Sequence, residues 1–361
     1  MPLKNLVRAK NRRKHAETVD SLMTMARTMN PGERFPRVRE LARALGVTLV
    51  TLNHALKQLE LRDMIERRPG SGIFVSEHIR QKTIGLVMGD VFATGSSPFY
   101  STLLNMCNRV AESHKEHFSF FLNRPIPTFS SPDAIASPDL VQALDAGKLD
   151  GLLLAGSPGD EFTAWLKAHG LPMLSLNKGF GLGSVALDYE GAIRMGASEL
   201  LKEGCRNLAI AGAYDEEGTY FRKAAEDLGF GYNEAGIFFN YPWDKSKPTP
   251  KEYVERLLDY FKKMGTKKVP WGLIVTDDTF ASSILPHLAE SGIKIGRQLK
   301  IASHANKGSL ALAEWKKNLI LLEVDPSEIA EAMFSRLEIL MDGGNPEPEI
   351  LRICPRVKPG L

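Results

Sequence analysis

The chain has 361 residues, with 46 lysines and arginines against 43 acidic residues and a net charge of +3. That length exceeds one ordinary domain and predicts two or three. The 43% hydrophobic and 25% charged content is enough for a buried core, and no run of about 18 apolar residues offers a membrane span. The opening segment MPLKNLVRAKNRRKHAE is basic with no apolar stretch behind it, which argues against a secretory signal and for a cytoplasmic location with no membrane partner. Residues 1–82 hold 17 basic and 8 acidic side chains, a balance of +9, which leaves −6 for the rest. A basic head on an acidic body suggests that the head meets a polyanion; a solvated positive face without a partner is the plainer alternative.

Pro31-Gly32 marks a turn. After it, Val38, Leu41, Ala42 and Leu45 share one helical face, and Gly46 ends that helix. Thr48 then suits an N-cap for a second helix from Leu49 to about Leu61, with Leu52, Ala55, Leu56 and Leu59 at helical spacing. Helix, short glycine-containing turn and second helix form a helix-turn-helix. Two short apolar strands then flank Arg67-Arg-Pro-Gly-Ser-Gly72, a β-hairpin with arginines and glycines at its tip. Arginines there neutralise phosphates or enter a minor groove.

The stretch Pro36–Val75 resembles the GntR-type winged helix. It carries a basic residue before Glu-Leu-Ala (Arg39–Ala42), Leu45-Gly-Val47, a threonine-rich helix start and the wing Arg68-Pro-Gly-Ser-Gly72. The resemblance spans about forty residues and its motifs are specific. It implies double-stranded operator DNA as partner, with Arg39 on backbone or base, Thr48 on phosphate, and the wing around Gly70 in the minor groove. Arg37, Thr51, Asn53, His54, Arg67, Arg68 and Ser71 are expected in the same interface. Many members carry arginine where this chain has Leu49 and Asn53. Asn53 suits adenine, while Leu49 is limited to apolar contact, for example with a thymine methyl.

Residues 76–82 are polar, and the expected division is a head over 1–76, a linker over 77–83 and a body over 84–361. In the body, apolar runs recur at Thr83–Met88, Phe118–Leu122, Gly151–Leu154, Met173–Leu176, Leu208–Ala211, Gly236–Phe239, Gly272–Val275 and Lys300–Ala302. Amphipathic stretches such as Tyr100–His114, Gly191–Glu203, Lys251–Lys263 and Phe280–Ser291 separate most of them. This alternation predicts an α/β body of parallel sheets with helices on both faces. The number of strands and a restart at Val185 suggest two sheets, hence two Rossmann-like lobes. Ligands of such sheets bind beyond the carboxyl ends of the strands.

The body resembles the effector domain of lac-repressor-type regulators, which shares its two-lobed fold with periplasmic sugar-binding proteins. The signposts are Ile84-Gly-Leu-Val-Met-Gly-Asp90 followed by Ser97-Pro-Phe-Tyr100, Leu149-Asp-Gly-Leu-Leu-Leu154, Val185-Ala-Leu-Asp-Tyr-Glu-Gly-Ala192, and Ile274-Val-Thr-Asp-Asp-Thr279. Head and body together are similar to the arabinose-repressor type of hybrid. The resemblance implies three crossings between lobes and an effector cleft. It places Asp90 and Phe99 on the first lobe, Arg222 against effector hydroxyls or carboxylates, Asp188 and Asp277 as acceptors, and Trp243 as an aromatic face. Plainer readings stand beside these. Asp188 caps the following helix, Asp278 rather than Asp277 points inward, or Trp243 is a surface aromatic. The family's Gly-Tyr/Phe-Asp-Asp is replaced here by Ser303-His-Ala-Asn306, so either His304 or Asn306 stands in for its aspartates or the ligand differs.

No P-loop, Gly-x-Ser-x-Gly elbow or metal-spaced ligand cluster occurs. The three cysteines, Cys107, Cys205 and Cys354, are too scattered for a disulfide framework or metal-ligand spacing and are expected as buried free thiols. No metal or cofactor is expected. Some GntR-type heads carry longer, aminotransferase-like bodies that hold pyridoxal phosphate on a lysine, and no lysine here stands in that strand-end context. The expected protein is a homodimeric regulator, by default a repressor, switched by a sugar or related polar metabolite. An activator, a sugar-sensing module without a gene target, and an enzyme with a regulatory head are the alternatives.

Overall fold

The structure is a computed structural model that describes residues 3–79, 81–89, 98–123, 136–155, 160–177, 183–213, 215–239, 248–264 and 270–358. In chain order the first elements are α1 (Leu3–Thr28), α2 (Val38–Ala44), α3 (Leu49–Leu61), β1 (Ile65–Arg68), β2 (Gly72–Val75) and β3 (Thr83–Gly89). Next come α4 (Pro98–His114), β4 (His117–Asn123), α5 (Pro138–Asp145), β5 (Gly151–Ala155), α6 (Asp160–Lys167), β6 (Met173–Leu176) and β7 (Ser184–Leu187). Then follow α7 (Tyr189–Lys202), β8 (Asn207–Ala213), α8 (Asp215–Leu228), β9 (Ile237–Phe239), α9 (Pro250–Met264), β10 (Trp271–Val275) and α10 (Asp278–Glu290). The last are β11 (Leu299–Asn306), β12 (Leu319–Val324), α11 (Pro326–Met341), β13 (Ile350–Ile353) and β14 (Arg356–Lys358).

The chain divides into two compact units, neither contiguous in sequence. One holds Met1–Asp90, Asn108–Leu174 and Leu337–Gly344; the other holds Val91–Cys107, Ser175–Arg336 and Asn345–Leu361. In the first unit, α3 occupies the range its periodicity predicts. Its Leu52, Ala55, Leu56 and Leu59 are fully buried, against Val19, Leu22 and Ala26 of α1 and against Ile65, Ile73 and Val75 of the hairpin. Helix α1 was not among the expected elements, although Val19, Leu22, Met23 and Ala26 follow helical spacing. Strands β1 and β2 pair antiparallel from Ile65↔Val75 to Arg68↔Gly72. Alternation along β2 sends Ile73 and Val75 inward. Behind the head, β3 pairs in parallel with β4 and with β5. Its residues Ile84 to Met88 are buried, the continuous apolar run expected of a strand covered on both faces.

The second unit contains a six-stranded sheet in the order β14-β12-β11-β10-β8-β9. Its pairs are parallel except β12 with β14. Residues alternate between its faces. Ala209, Ala211, Leu273, Val275 and Ile301 meet Leu257 and Phe261 of α9 and Ile284, Leu285 and Leu288 of α10. Leu208, Ile210, Ile274, Ala302 and Leu322 meet Ile193, Ala197 and Leu200 of α7 and Phe221 and Ala225 of α8. The period of two in the strands and 3.6 in the helices thus produces a helix–sheet–helix sandwich. Ranges β6, β7 and β13 supply a further parallel set, with Ser175↔Ser184 and Ile350↔Ser184 in register. The expected free thiols differ in burial. Cys107 and Cys205 are buried, and burial pushes them up to about 12 and about 11, whereas Cys354 is exposed just past β13.

Substituting Leu56→Ala removes a fully buried side chain from the seam joining α1, α3 and the wing. The head is expected to lose about 2–5 kcal/mol of stability, read as an earlier urea transition for head amides followed by NMR or hydrogen exchange.

Candidate nucleic-acid interface and effector site

Helix α3 begins where Thr48 Oγ accepts from Thr51 N at 3.2 Å, with the two hydroxyls 2.9 Å apart. Thr48 and Thr51 therefore spend one hydroxyl contact on the cap, and Thr48 stays exposed. Since one side of α3 is buried, Leu49, Val50, Asn53, His54 and Lys57 are left on the other, all exposed. At the start of α2, Arg37 N donates to Glu40 Oε2 at 3.2 Å, which leaves the Arg37 and Arg39 side chains exposed.

The wing is tied to the same helix. Arg67 Nη2 donates to the Asn53 carbonyl at 3.4 Å, and its Nε lies 3.4 Å from Glu60. Arg68 lies over the Phe74 ring, 4.5 Å from its centroid, and pairs with Glu66 at 3.0 Å. Both wing arginines are thus held in place before any partner arrives. The tip residue Gly70 has φ +72° and an open surround. That left-handed turn is where a backbone without Cβ approaches a groove closely. Ser71 beside it is exposed.

Arg62, at the C-terminal end of α3, joins the head to the body portion of the same unit. Its Nε donates to the Ala146 carbonyl just past α5 at 3.0 Å, and its Nη1 meets Met23 Sδ of α1. A side chain at Gly147 would start 3.0 Å from the Arg62 guanidinium, so the glycine makes room for it. Beside this joint lies a groove of about 580 Å³ lined by Leu61, Pro138, Val141 and Asp145 among others. Sequence reasoning missed Arg62. Its only signal was a basic residue one step past the predicted helix end.

In the second unit, polar side chains gather at the carboxyl ends of β10 and β11. Asp277 caps α10, accepting from Phe280 N at 2.6 Å. Asp278 is 2% exposed and accepts from Asn306 Nδ2 at 3.1 Å and Asn306 N at 3.3 Å. His304 Nε2 lies 3.3 Å from Asn306 Oδ1. Among the described residues neither carboxylate forms an ion pair with a lysine or arginine. Burial pushes the Asp277 carboxyl up, opposed by the Phe280 amide, with Asp278 adding to the rise.

The remaining expected effector residues fall elsewhere or outside description. Asp90 and Trp243 lie outside the described residues. Phe99 sits at the start of α4 with its ring 5.1 Å from that of Tyr100. Asp188 caps α7 by accepting from Gly191 N at 3.0 Å, the plainer of its two readings. Arg222 makes a bidentate pair with Glu234, at 2.9 and 2.7 Å. Among the described residues no hydrogen bond or ion pair links Phe99, Asp188 or Arg222 to the Asp277–Asn306 group. The buried Asp278 was signalled by the Asp-Asp pair at 277–278, of which only one can take the cap.

The fold is a winged helix on an α/β body with helices on both sheet faces. Residues 23–75 match the bacterial regulatory proteins of the gntR family. Residues 197–361 match the periplasmic binding protein-like domain. The chain is thus a gntR-type head joined to a periplasmic-binding-protein-like body. It is 23% identical over 232 residues to catabolite control protein A of Staphylococcus xylosus, covering 63% of this chain and 65% of that protein. It is 30% identical over 141 residues to the Uxu operon transcriptional regulator of Escherichia coli strain K12, covering 39% and 49%. The chain therefore spans 65% and 49% of the length of these two curated relatives. The solved transcriptional regulator CelR–cellobiose complex shares the fold, with a TM-score of 0.60, 15% identity, and coverage of 90% of this chain and 98% of that one. Among the described residues no helix is long and apolar enough to cross a membrane.

Two outcomes are expected. Arg62→Ala should speed amide exchange at Gly147 and Lys148 by about tenfold, the loss of one charge-assisted hydrogen bond, while the main unfolding midpoint stays put. For Asp277, a raised folded-state value means the buried charge costs stability. That cost is absent below the ordinary carboxylate range and grows as pH rises through it. Asp277→Asn keeps a good cap, so its stability relative to wild type should improve between about pH 4 and pH 7 in urea unfolding. A pH-independent difference would show that the Asp277 charge is not what burial penalises.

Proposed function

We propose that the protein is a DNA-binding transcription regulator, a repressor by default, whose operator affinity is set by a small polar effector of the sugar class. The observation that carries this reading is the union, in one chain, of a gntR-type head presenting the exposed face of α3 and an arginine-bearing wing with a periplasmic-binding-protein-like body. The division into head (1–76), linker (77–83) and body (84–361) is part of the proposal, as is a cytoplasmic homodimer that offers two heads to a two-fold operator. The body is assigned binding rather than turnover. Asp278, His304 and Asn306 supply planar acceptors and donors of the kind that paired sugar hydroxyls require, at the strand ends where α/β sheets bind ligands. Effector binding alters the operator affinity by a coupling free energy of about 1–3 kcal/mol.

The test is salt-dependent binding of the full chain to duplex DNA by fluorescence anisotropy, followed by a thermal-shift screen over sugars. A sugar at 100 times its dissociation constant should stabilise by about 2.7 kcal/mol. Binding that is absent, or indifferent to salt, would defeat the head assignment. Arg39→Ala should weaken binding to all duplexes and reduce the salt slope by about one.

A further inference from the structure

Two adjacent apolar side chains stand in solvent at the first turn of α3. Leu49 is 46% exposed and Val50 is 68% exposed. Neither serves the helix. The cap is made by the Thr48 hydroxyl, the buried stripe begins at Leu52, and valine is an indifferent helix former. Asn53 follows four residues after Leu49 and three after Val50, so the three share one face. The surround is cationic: Lys57 lies on the same face, and Arg67 reaches the Asn53 carbonyl from the wing. An apolar tip framed by cations fits a polyanion that also offers apolar groups. On the floor of the DNA major groove that group is the thymine C5-methyl.

We infer that Leu49 and Val50 read thymine methyls, so that the operator half-site carries A·T pairs beneath the start of α3, with Asn53 placed for adenine. This rests on the DNA-binding reading above. Aliphatic side chains have no donor for guanine O6 or N7, so they gain nothing from a G·C pair. They gain from a T·A pair by removing its methyl from water.

The experiment selects duplexes bound by the full chain from a random pool, then replaces single thymines of the selected half-site with uracil, which lacks only the methyl. Uracil at one or two positions should weaken binding about fourfold each, the worth of one buried methyl group, and elsewhere should change nothing. Leu49→Ala and Val50→Ala sit at exposed helical positions that tolerate alanine. Each should erase one uracil effect, so that the variant binds the thymine and uracil duplexes equally at that position. Half-sites with G·C pairs at these positions, or full indifference to uracil, would overturn the inference while leaving the DNA-binding reading intact. Uracil sensitivity unchanged in both alanine variants would also overturn it. No binding to any duplex would overturn both.

Discussion

The joint at Arg62 is the constraint that ties the end of α3 to the body portion of the same unit. One guanidinium sits where the end of α3, the side of α1 and the carbonyl just past α5 come together. A charge-assisted hydrogen bond of this kind is worth about 1.5–3 kcal/mol, the same size as typical allosteric coupling energies of about 1–3 kcal/mol. Lys82, pairing with Asp342 at 3.0 Å where the linker enters β3, holds the same region by a second and more exposed contact. Such exposed pairs contribute about 0–1 kcal/mol, so the Arg62 contact carries most of the connection.

The head works by the opposite economy. Its seam of buried leucines fixes α3 rigidly against α1 and the hairpin, and the groups expected to meet DNA are anchored only lightly. Arg67 and Arg68 rest on Glu60, Glu66 and the Phe74 ring. The two glutamates keep much of their surface in solvent, and ion pairs of that kind are weak. A phosphate can displace them at small cost, since each arginine is already held at the wing by a weak partner. Rigidity lies in the scaffold, and replaceable contacts lie at the surface.

The head was nearly all legible in the sequence. Helical spacing of Val38, Leu41 and Ala42, the Thr48 cap and the Arg-Pro-Gly-Ser-Gly tip each have one physical meaning, so α2, α3 and the hairpin follow directly. Helix α1 escaped because its charged first half masks the apolar positions Val19, Leu22 and Ala26. In the body, the strands buried on both faces were legible as apolar runs. Strand β12 was not among the expected runs, nor were short β13 and β14, since three or four residues at a sheet margin, such as β14 with its alternating exposed arginine and lysine, leave too brief a pattern. Site residues were harder still. Asp188 and Asp277 both sit at strand-to-helix turns, where a carboxylate serves equally as cap or as ligand contact, and the sequence carries no signal that separates the two. Arg222 lies on a helix face within reach of Glu234 twelve residues on, a pairing that no local pattern encodes.

The Asp277–Asp278 pair shows how the fold resolves that ambiguity. A helix start has room for one capping side chain, and Asp277 takes it through the Phe280 amide. Asp278, one residue later, is turned inward and is 2% exposed. Burying a carboxylate is costly unless hydrogen bonds satisfy it, and Asn306 supplies two, from backbone and side chain. That commitment in turn orients the Asn306 carbonyl oxygen toward His304. Strand β11 ends in a histidine and an amide, His304 and Asn306. Each can both donate and accept, according to tautomer and orientation. A group of this kind matches neutral hydroxyls, which also do both, better than it matches a carboxylate or a phosphate, which only accept. The polar arrangement at these strand ends thus follows from which of the two neighbouring aspartates the helix takes as its cap.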